Sequence, residues 1–332
     1  MLNDTVDLFG SFNVSNTFAA VIVGSTAFCG LIFYMAFNIT VLRVQEYREH
    51  AYYVLAVALG FLDCGSLVGM LFFAVPTILM ETEGSHYLNL IFGCNMIFCW
   101  YGGLPIILSL AFNRYYCVCK REEYKQAFRP RNVKIIISVS LAFAVVTAIL
   151  PWLECCPFKF DPEFFVWGWY QNFYGFLINY VDLALTSIIV LVSTGLNARV
   201  FYEYKKMHKE MSMETEKEKF EKIRRQREFK LFVQFFIIMC WMTLFEMVFV
   251  AGAFVPPSKA FYLLSTWMWT VHCSINGWAY IFLNKNLRRR VFAKAPNQQT
   301  ASGSEGRPNC LCCCAKSTQI VQLSQNTTSQ TK

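Results

Sequence analysis

Charge is the scarcest ingredient of this sequence. Asp, Glu, Lys and Arg together make 16% of its 332 residues, where a soluble domain carries about 25%. Histidine is rarer still. His50, His86, His208 and His272 are the whole set, too few and too dispersed to build a metal centre or a catalytic cluster, so no enzyme and no cofactor are expected. The first fifteen residues lack a basic n-region and a small-residue cleavage site, so no cleavable signal peptide is expected and the first apolar segment acts as its own insertion signal. Repeated halves with matching interrupted helices, frequent in transporters, are missing. So are the pore loop or charge rings of a channel. What fills the chain instead is apolar: 55% hydrophobic and 17% aromatic, with mean hydropathy +0.37. Fourteen cysteines are scattered, several of them inside apolar segments, unlike a small disulfide scaffold. The net charge of +8 is not a nucleic-acid signature, because the basic residues lie between apolar stretches, which is the pattern of membrane topology.

Crossing about 30 Å of hydrocarbon takes about 20 mostly apolar residues. Seven stretches qualify: about Phe18–Leu42, Ala51–Met80, Leu88–Tyr116, Val133–Leu153, Phe173–Phe201, Phe229–Phe254 and Phe261–Leu283. They are long and do not alternate, so helices are predicted rather than barrel strands. Of the 30 basic residues, only Lys159 and Lys259 fall in loops on one side. The other side holds Arg43, Arg48, the group from Lys120 to Lys134, a dense loop from Lys205 to Lys230, and Arg288, Arg289 and Arg290. That side is predicted to be cytosolic, which puts the N-terminus outside. Asn3-Asp4-Thr5 and Asn13-Val14-Ser15 are glycosylation sequons on the predicted outside, while Asn38-Ile39-Thr40 is the same pattern inside the first span. The predicted organisation is an extracellular N-terminus (1–17), a seven-span domain (18–283), a short amphipathic helix (284–293) and a disordered cytosolic tail (294–332).

The dense loop pairs Glu218 with Lys222 and Glu221 with Arg225 at helical spacing, so the fifth and sixth helices are expected to extend into the cytosol. Its surface suits anionic lipid or a cytosolic partner. Leu287, Val291 and Phe292 share a face opposite most of the neighbouring arginines, as in a helix lying on the inner membrane surface. In the tail, Cys310, Cys312, Cys313 and Cys314 are read as S-palmitoylation sites. Adjacent cysteines are poorly spaced for tetrahedral zinc, the competing chemistry.

Charged groups within a span cost about 2.5–3.5 kcal/mol on insertion scales. Asp63, Asp182, Glu246, His272, Asn276 and Asn38 therefore each need a role: polar glue between helices, or a switch or ligand contact. Glue is the reading for Asn38. Asp63 suits a switch, since a buried carboxylate responds to protons or cations.

Several short motifs then stand in register. Asn113-Arg114-Tyr115 at the cytosolic end of the third span resembles the Asp-Arg-Tyr motif of rhodopsin-like G-protein-coupled receptors. Asn276-Gly277-Trp278-Ala279-Tyr280 resembles their Asn-Pro-x-x-Tyr, and Leu59-Gly60-Phe61-Leu62-Asp63 their Leu-Ala-x-x-Asp. Asn38-Ile39-Thr40-Val41 matches Asn-x-x-Val, and Cys240-Trp241 the start of Cys-Trp-x-Pro. The resemblance spans nearly the whole chain to about Phe292. Asn113, Gly277 and Thr243 replace an acid and two prolines, and such loosened motifs look like the nematode chemoreceptors. The run Arg227–Gln234 is similar to the class X serpentine receptors.

The resemblance implies a fold, a seven-transmembrane-helix bundle with a short eighth helix, and a function, binding an extracellular small molecule or peptide and activating a heterotrimeric G protein. It implies a switch of Asn113, Arg114, Tyr115, Asn276, Tyr280, Asp63 and Asn38, with the restraint on Arg114 leaning on Glu221 or Glu228 because Asn113 is neutral. Higher ligand-free signalling is expected on that account. The family's sodium pocket needs a serine near Gly103, so sodium is not expected. The family also joins the third helix to the second outer loop by a disulfide. Cys155 and Cys156 lie in that loop, and Cys94 is the best partner although about 7 Å, or 5 residues, too deep; buried free thiols are the alternative. The implied ligand pocket draws on Trp100, Tyr174, Trp241, Glu246, Trp269 and His272. Trp167 and Trp267 read better as membrane-interface aromatics. A retinal-binding lysine is missing from the middle of the seventh span, which argues against a photoreceptor. Chemosensory and neuropeptide receptors both stay open, with a seven-helix transporter as the rival class.

Overall fold

A computed structural model describes residues 14–209, 233, 236–252, 258–283 and 285–292. Glu221, Glu228, Asn3, Asn13 and the cysteines at 310 and 312–314 (Cys310, Cys312, Cys313 and Cys314) lie outside the described residues. Seven long helices appear in the predicted places: α1 (Asn16–Arg43), α2 (Ala51–Met80), α3 (His86–Cys119), α4 (Pro130–Ala148), α5 (Phe173–Lys209), α6 (Phe236–Gly252) and α7 (Lys259–Leu283). A short α8 (Lys285–Phe292) follows. The first five are long and apolar enough by themselves to cross a bilayer. The described part of α6 is shorter, and α7 carries buried polar residues, His272, Ser274 and Asn276 among them.

Local chemistry accounts for the ends and bends. Ser15 caps α1 by accepting from the Phe18 amide at 3.2 Å. The turn Met70–Ala74 of α2 widens to a π-helix just before Pro76, which has no amide to donate. In α6, Thr243 stands where the related motif has proline, and its hydroxyl donates to the Met239 carbonyl at 2.9 Å, so the helix runs on. α5 reaches Lys209, eight residues beyond its predicted end at Phe201, as the charge spacing of the following loop suggests.

α3 is the central element. Two-thirds of its most apolar window is buried, against 22% for α4 and 28% for α5, which leaves those two mostly facing outward. α3 packs on α2, α4 and α5, and α1 packs on α2 and α7. Close helix contact in lipid depends on small residues and interhelical hydrogen bonds; Trp267 of α7 donates to Thr26 of α1 at 3.2 Å. Trp267 is thus a bundle contact rather than an interface anchor.

Between α4 and α5 the chain forms an antiparallel hairpin that the sequence reading left as loop. β1 (Phe158–Asp161) pairs with β2 (Val166–Trp169), Phe158 opposite Trp169 and Asp161 opposite Val166.

Candidate functional site

The hairpin covers an outer cavity. Its attachment to α3 starts from Asn89 and Gly93, four residues apart and so on one helix face. The Asn89 side chain accepts from the Phe160 amide at 2.8 Å and donates to the Phe160 carbonyl at 3.1 Å, standing in for a third strand. A Cβ on Gly93 would lie 2.0 Å from the Phe158 carbonyl oxygen, so only glycine admits the strand. On the other side, the Phe165 carbonyl accepts from Thr266 of α7 at 2.6 Å. Phe165 is fully buried with φ of 59°, a conformation bulky residues avoid, and this anchor helps hold it.

The disulfide implied by the resemblance is not formed. Cys94, Cys155 and Cys156 are free thiols. Cys94 is one residue past Gly93, about 100° further round the helix, so it does not share the face that meets β1. Cys155 and Cys156 lie against each other instead.

Beneath the hairpin lies a small cavity bounded by α3, α5, α6, α7 and the hairpin. Trp100, Phe245 and Trp269 form its floor, with ring centroids of Trp100 6.0 Å from Phe245 and 5.6 Å from Trp269. Asp182 and Glu246 contribute carboxylates. Trp100 Nε1 donates to Asp182 at 3.1 Å, and Ser187 donates to Glu246 at 3.0 Å. Trp100, Glu246 and Trp269 therefore meet here as the resemblance implies. His272 sits behind the wall, its ring 5.9 Å from Trp100 and 5.6 Å from Phe245. Tyr174 does not join them: it is exposed at the outer end of α5, edge-on to Phe173, as an interface aromatic would be. Trp241 is half-buried and is not among the lining residues. Trp167, expected at the membrane interface, is instead buried in the hairpin and lines the cavity, stacked on Phe158 at 6.0 Å. Asp182, named in the sequence only as a charge needing a role, belongs to the site. Asn89 and Gly93 are missed there, because an isolated Asn and Gly in an apolar run carry no signal until the strand they meet is known.

A polar layer lies deeper. Asp63 accepts a hydrogen bond from the Tyr34 hydroxyl of α1 and another from Asn276 of α7. The ring of Tyr34 fits where α2 and α7 have glycine: a Cβ on Gly60 would meet it at 3.0 Å, and one on Gly277 likewise at 3.0 Å. The two departures, Gly for Ala and Gly for Pro, make room for one tyrosine. Gly103 faces Leu59 at the level where the related motif has serine. Asn38, read as glue, is buried beside Gly60 with neither amide atom hydrogen-bonded within the protein.

At the far end, Arg114 is buried with its guanidinium carbon 3.8 Å from the Tyr52 ring centroid. Tyr52 lies edge-on to Tyr280 at 6.3 Å, and Tyr280 stacks on Phe37 at 4.3 Å. Arg114 is thus linked through aromatic rings to α2, α7 and α1. The expected restraint by Glu221 or Glu228 falls on residues outside those described; Tyr52 is among the contacts Arg114 makes. Asn113 donates to the Tyr124 hydroxyl at 3.3 Å, and Tyr115 packs edge-on against Tyr116 at 5.8 Å. Arg290 of α8 reaches Glu46 at 3.1 Å and lies over Tyr47, and Leu287 is fully buried. Among the described residues, no three His, Cys, Asp or Glu side chains converge as metal ligands.

No curated protein matches the sequence. The fold is similar to that of squid rhodopsin, with a TM-score of 0.67 over 84% of this chain and 85% of that one, at 11% identity. An identity that low speaks for the fold alone. Residues 25–284 match the family model of the serpentine type 7TM GPCR chemoreceptor Srx. With the match running from α1 to the end of α7, the chain belongs to the Srx family of serpentine seven-transmembrane chemoreceptors of the G-protein-coupled receptor class.

Proposed function

We propose that this chain is a plasma-membrane chemoreceptor that binds an extracellular ligand beneath the β1–β2 hairpin and activates a heterotrimeric G protein at the opposite end. The N-terminus is outside and the C-terminus cytosolic. Lys159 and Lys259 both belong to the hairpin end, while the remaining basic residues favour the other side. The observation that carries the coupling half is Arg114, buried over Tyr52 at the end of α3 remote from the cavity. An outward movement of α6 would free a cleft beside it for a G-protein helix. The hairpin covering the cavity favours a small molecule over a peptide. Glycans on Asn3 and Asn13, and acyl chains on the Cys310–Cys314 cluster with lipid contact by the α8 arginines, complete the proposed topology.

The test is expression in cells reporting calcium and cyclic nucleotide, with surface level measured in parallel. Arg114→Ala is expected to abolish both ligand-free and ligand-evoked signal at unchanged surface level. An unchanged signal sinks the coupling assignment. A tag on the C-terminus accessible from outside intact cells sinks the topology.

A further inference from the structure

Among its described lining residues the outer cavity holds two carboxylates and no cationic side chain. Asp182 and Glu246 lie close enough to interact electrostatically, and neither lysine, arginine nor histidine is among the described lining residues. Among the described residues the donors to these acids are neutral: Trp100 and Tyr101 for Asp182, and Ser187 for Glu246. Buried like charges repel, and each loses hydration that neutral hydrogen bonds only partly replace. The faces around them are aromatic: Trp100, Phe245 and Trp269 below, Trp167 and Trp169 from the hairpin. Aromatic faces attract cations most strongly when both are desolvated.

A second observation is independent of the acids. Thr186 and Trp167 are lining residues only 2% and 4% exposed, and Thr186 Oγ1 and Trp167 Nε1 make no hydrogen bond within the protein. Unpaired buried polar atoms of this kind call for a partner from outside the chain. The indole N–H can only donate, so that partner carries an acceptor.

We propose that the cavity takes a small organic ammonium compound, protonated or quaternary, that also bears a hydrogen-bond acceptor, with Asp182 and Glu246 as its counter-ions and Trp167 and Thr186 meeting the acceptor. The proposal rests on reading this cavity as the receptor's ligand site. Its chemistry differs on each side: carboxylates and ring faces toward the cation, an indole N–H toward the acceptor.

The experiment compares choline with its uncharged carbon isostere, 3,3-dimethylbutan-1-ol, and with a panel of protonated amines and of carboxylates. Thermal stabilisation of the purified full-length receptor reads binding, and the cell reporters read signalling. Choline or an amine of the panel is expected to stabilise the receptor, at a concentration at least tenfold below that of the uncharged isostere. Glu246→Gln and Asp182→Asn, which keep the shape and one acceptor oxygen, are each expected to weaken that binding at least tenfold at unchanged surface level, and Trp167→Phe to weaken it less. Equal binding of the isostere, no stabilisation by any cation, or cation binding untouched by both acid variants overturns the proposal. Activation by a carboxylate that survives both variants overturns it too, while leaving the receptor reading intact. Ligand-free signal lost in Arg114→Ala tests the receptor reading without any ligand, so the two failures are told apart.

Discussion

At the scale of single residues, Tyr34 explains two oddities together. Its hydroxyl bonds Asp63, and its ring occupies space that Gly60 and Gly277 leave open. A methyl group at position 60 would sit 2.7 Å from Asn38 Oδ1 and 3.0 Å from the ring. Overpacking of this kind costs about 1–3 kcal/mol. Gly60→Ala is therefore expected to lower the melting temperature of the purified receptor, and Tyr34→Leu in the same chain to recover part of the loss. A double-mutant cycle measures this; strictly additive losses would uncouple Tyr34 from Gly60. Tyr52 makes a matching case for Arg114. A cation over an aromatic face contributes about 0.5–2 kcal/mol, and about 1.4 kcal/mol is tenfold in a two-state population. Tyr52→Leu is expected to raise ligand-free signalling several-fold while Tyr52→Phe stays near the parent. Equal basal signal in the two variants, normalised to surface level, would rule the ring out as the restraint.

At the scale of elements, the hairpin is the part least legible in advance. Every long helix was readable because about 20 contiguous apolar residues have one solution in a bilayer. Phe158–Trp169 is short, has no apolar periodicity that separates strand from loop, and depends on partners far along the chain: Asn89, Gly93 and Thr266. For the same reason Trp167 looked like an interface anchor until the strand carrying it was placed. Asp182 and Glu246 were visible as intramembrane charges, but their convergence depends on how α5 and α6 face each other. Removing Asn89 tests the attachment. Each of its two hydrogen bonds to Phe160 contributes about 0.5–1.5 kcal/mol, and buried backbone groups left without partners cost about 1–3 kcal/mol each. Asn89→Leu is expected to speed amide hydrogen exchange across 158–169 and to weaken ligand potency, with exchange in α1 and α7 unchanged. Parent-like exchange in the hairpin would mean that packing on Gly93 is sufficient.

At the scale of the whole molecule, the cavity and Arg114 lie at opposite ends of one helix, α3, separated by Pro105 and by the polar layer around Asp63. Asn113 adjoins the lower end and bonds Tyr124 of the loop beyond α3. An aspartate there would put a negative charge beside Arg114 and accept from Tyr124. Asn113→Asp is expected to reduce ligand-free signalling; unchanged or raised activity would show that Tyr52 and its neighbours already restrain the arginine fully. The number and positions of the long helices were legible because they are local in sequence. The Tyr34 insertion was not, since nothing near residue 34 announces two glycines on other helices. The outer cover has one more consequence. It is fastened to α3 by an amide side chain and a missing methyl group, with no sulfur bridge between them. A receptor sealed this way is expected to work the same in oxidising and reducing surroundings. Bathing intact cells in a membrane-impermeant phosphine is expected to leave agonist responses unaltered; a response abolished by the reductant and restored by its removal would mean that Cys94 is bridged after all.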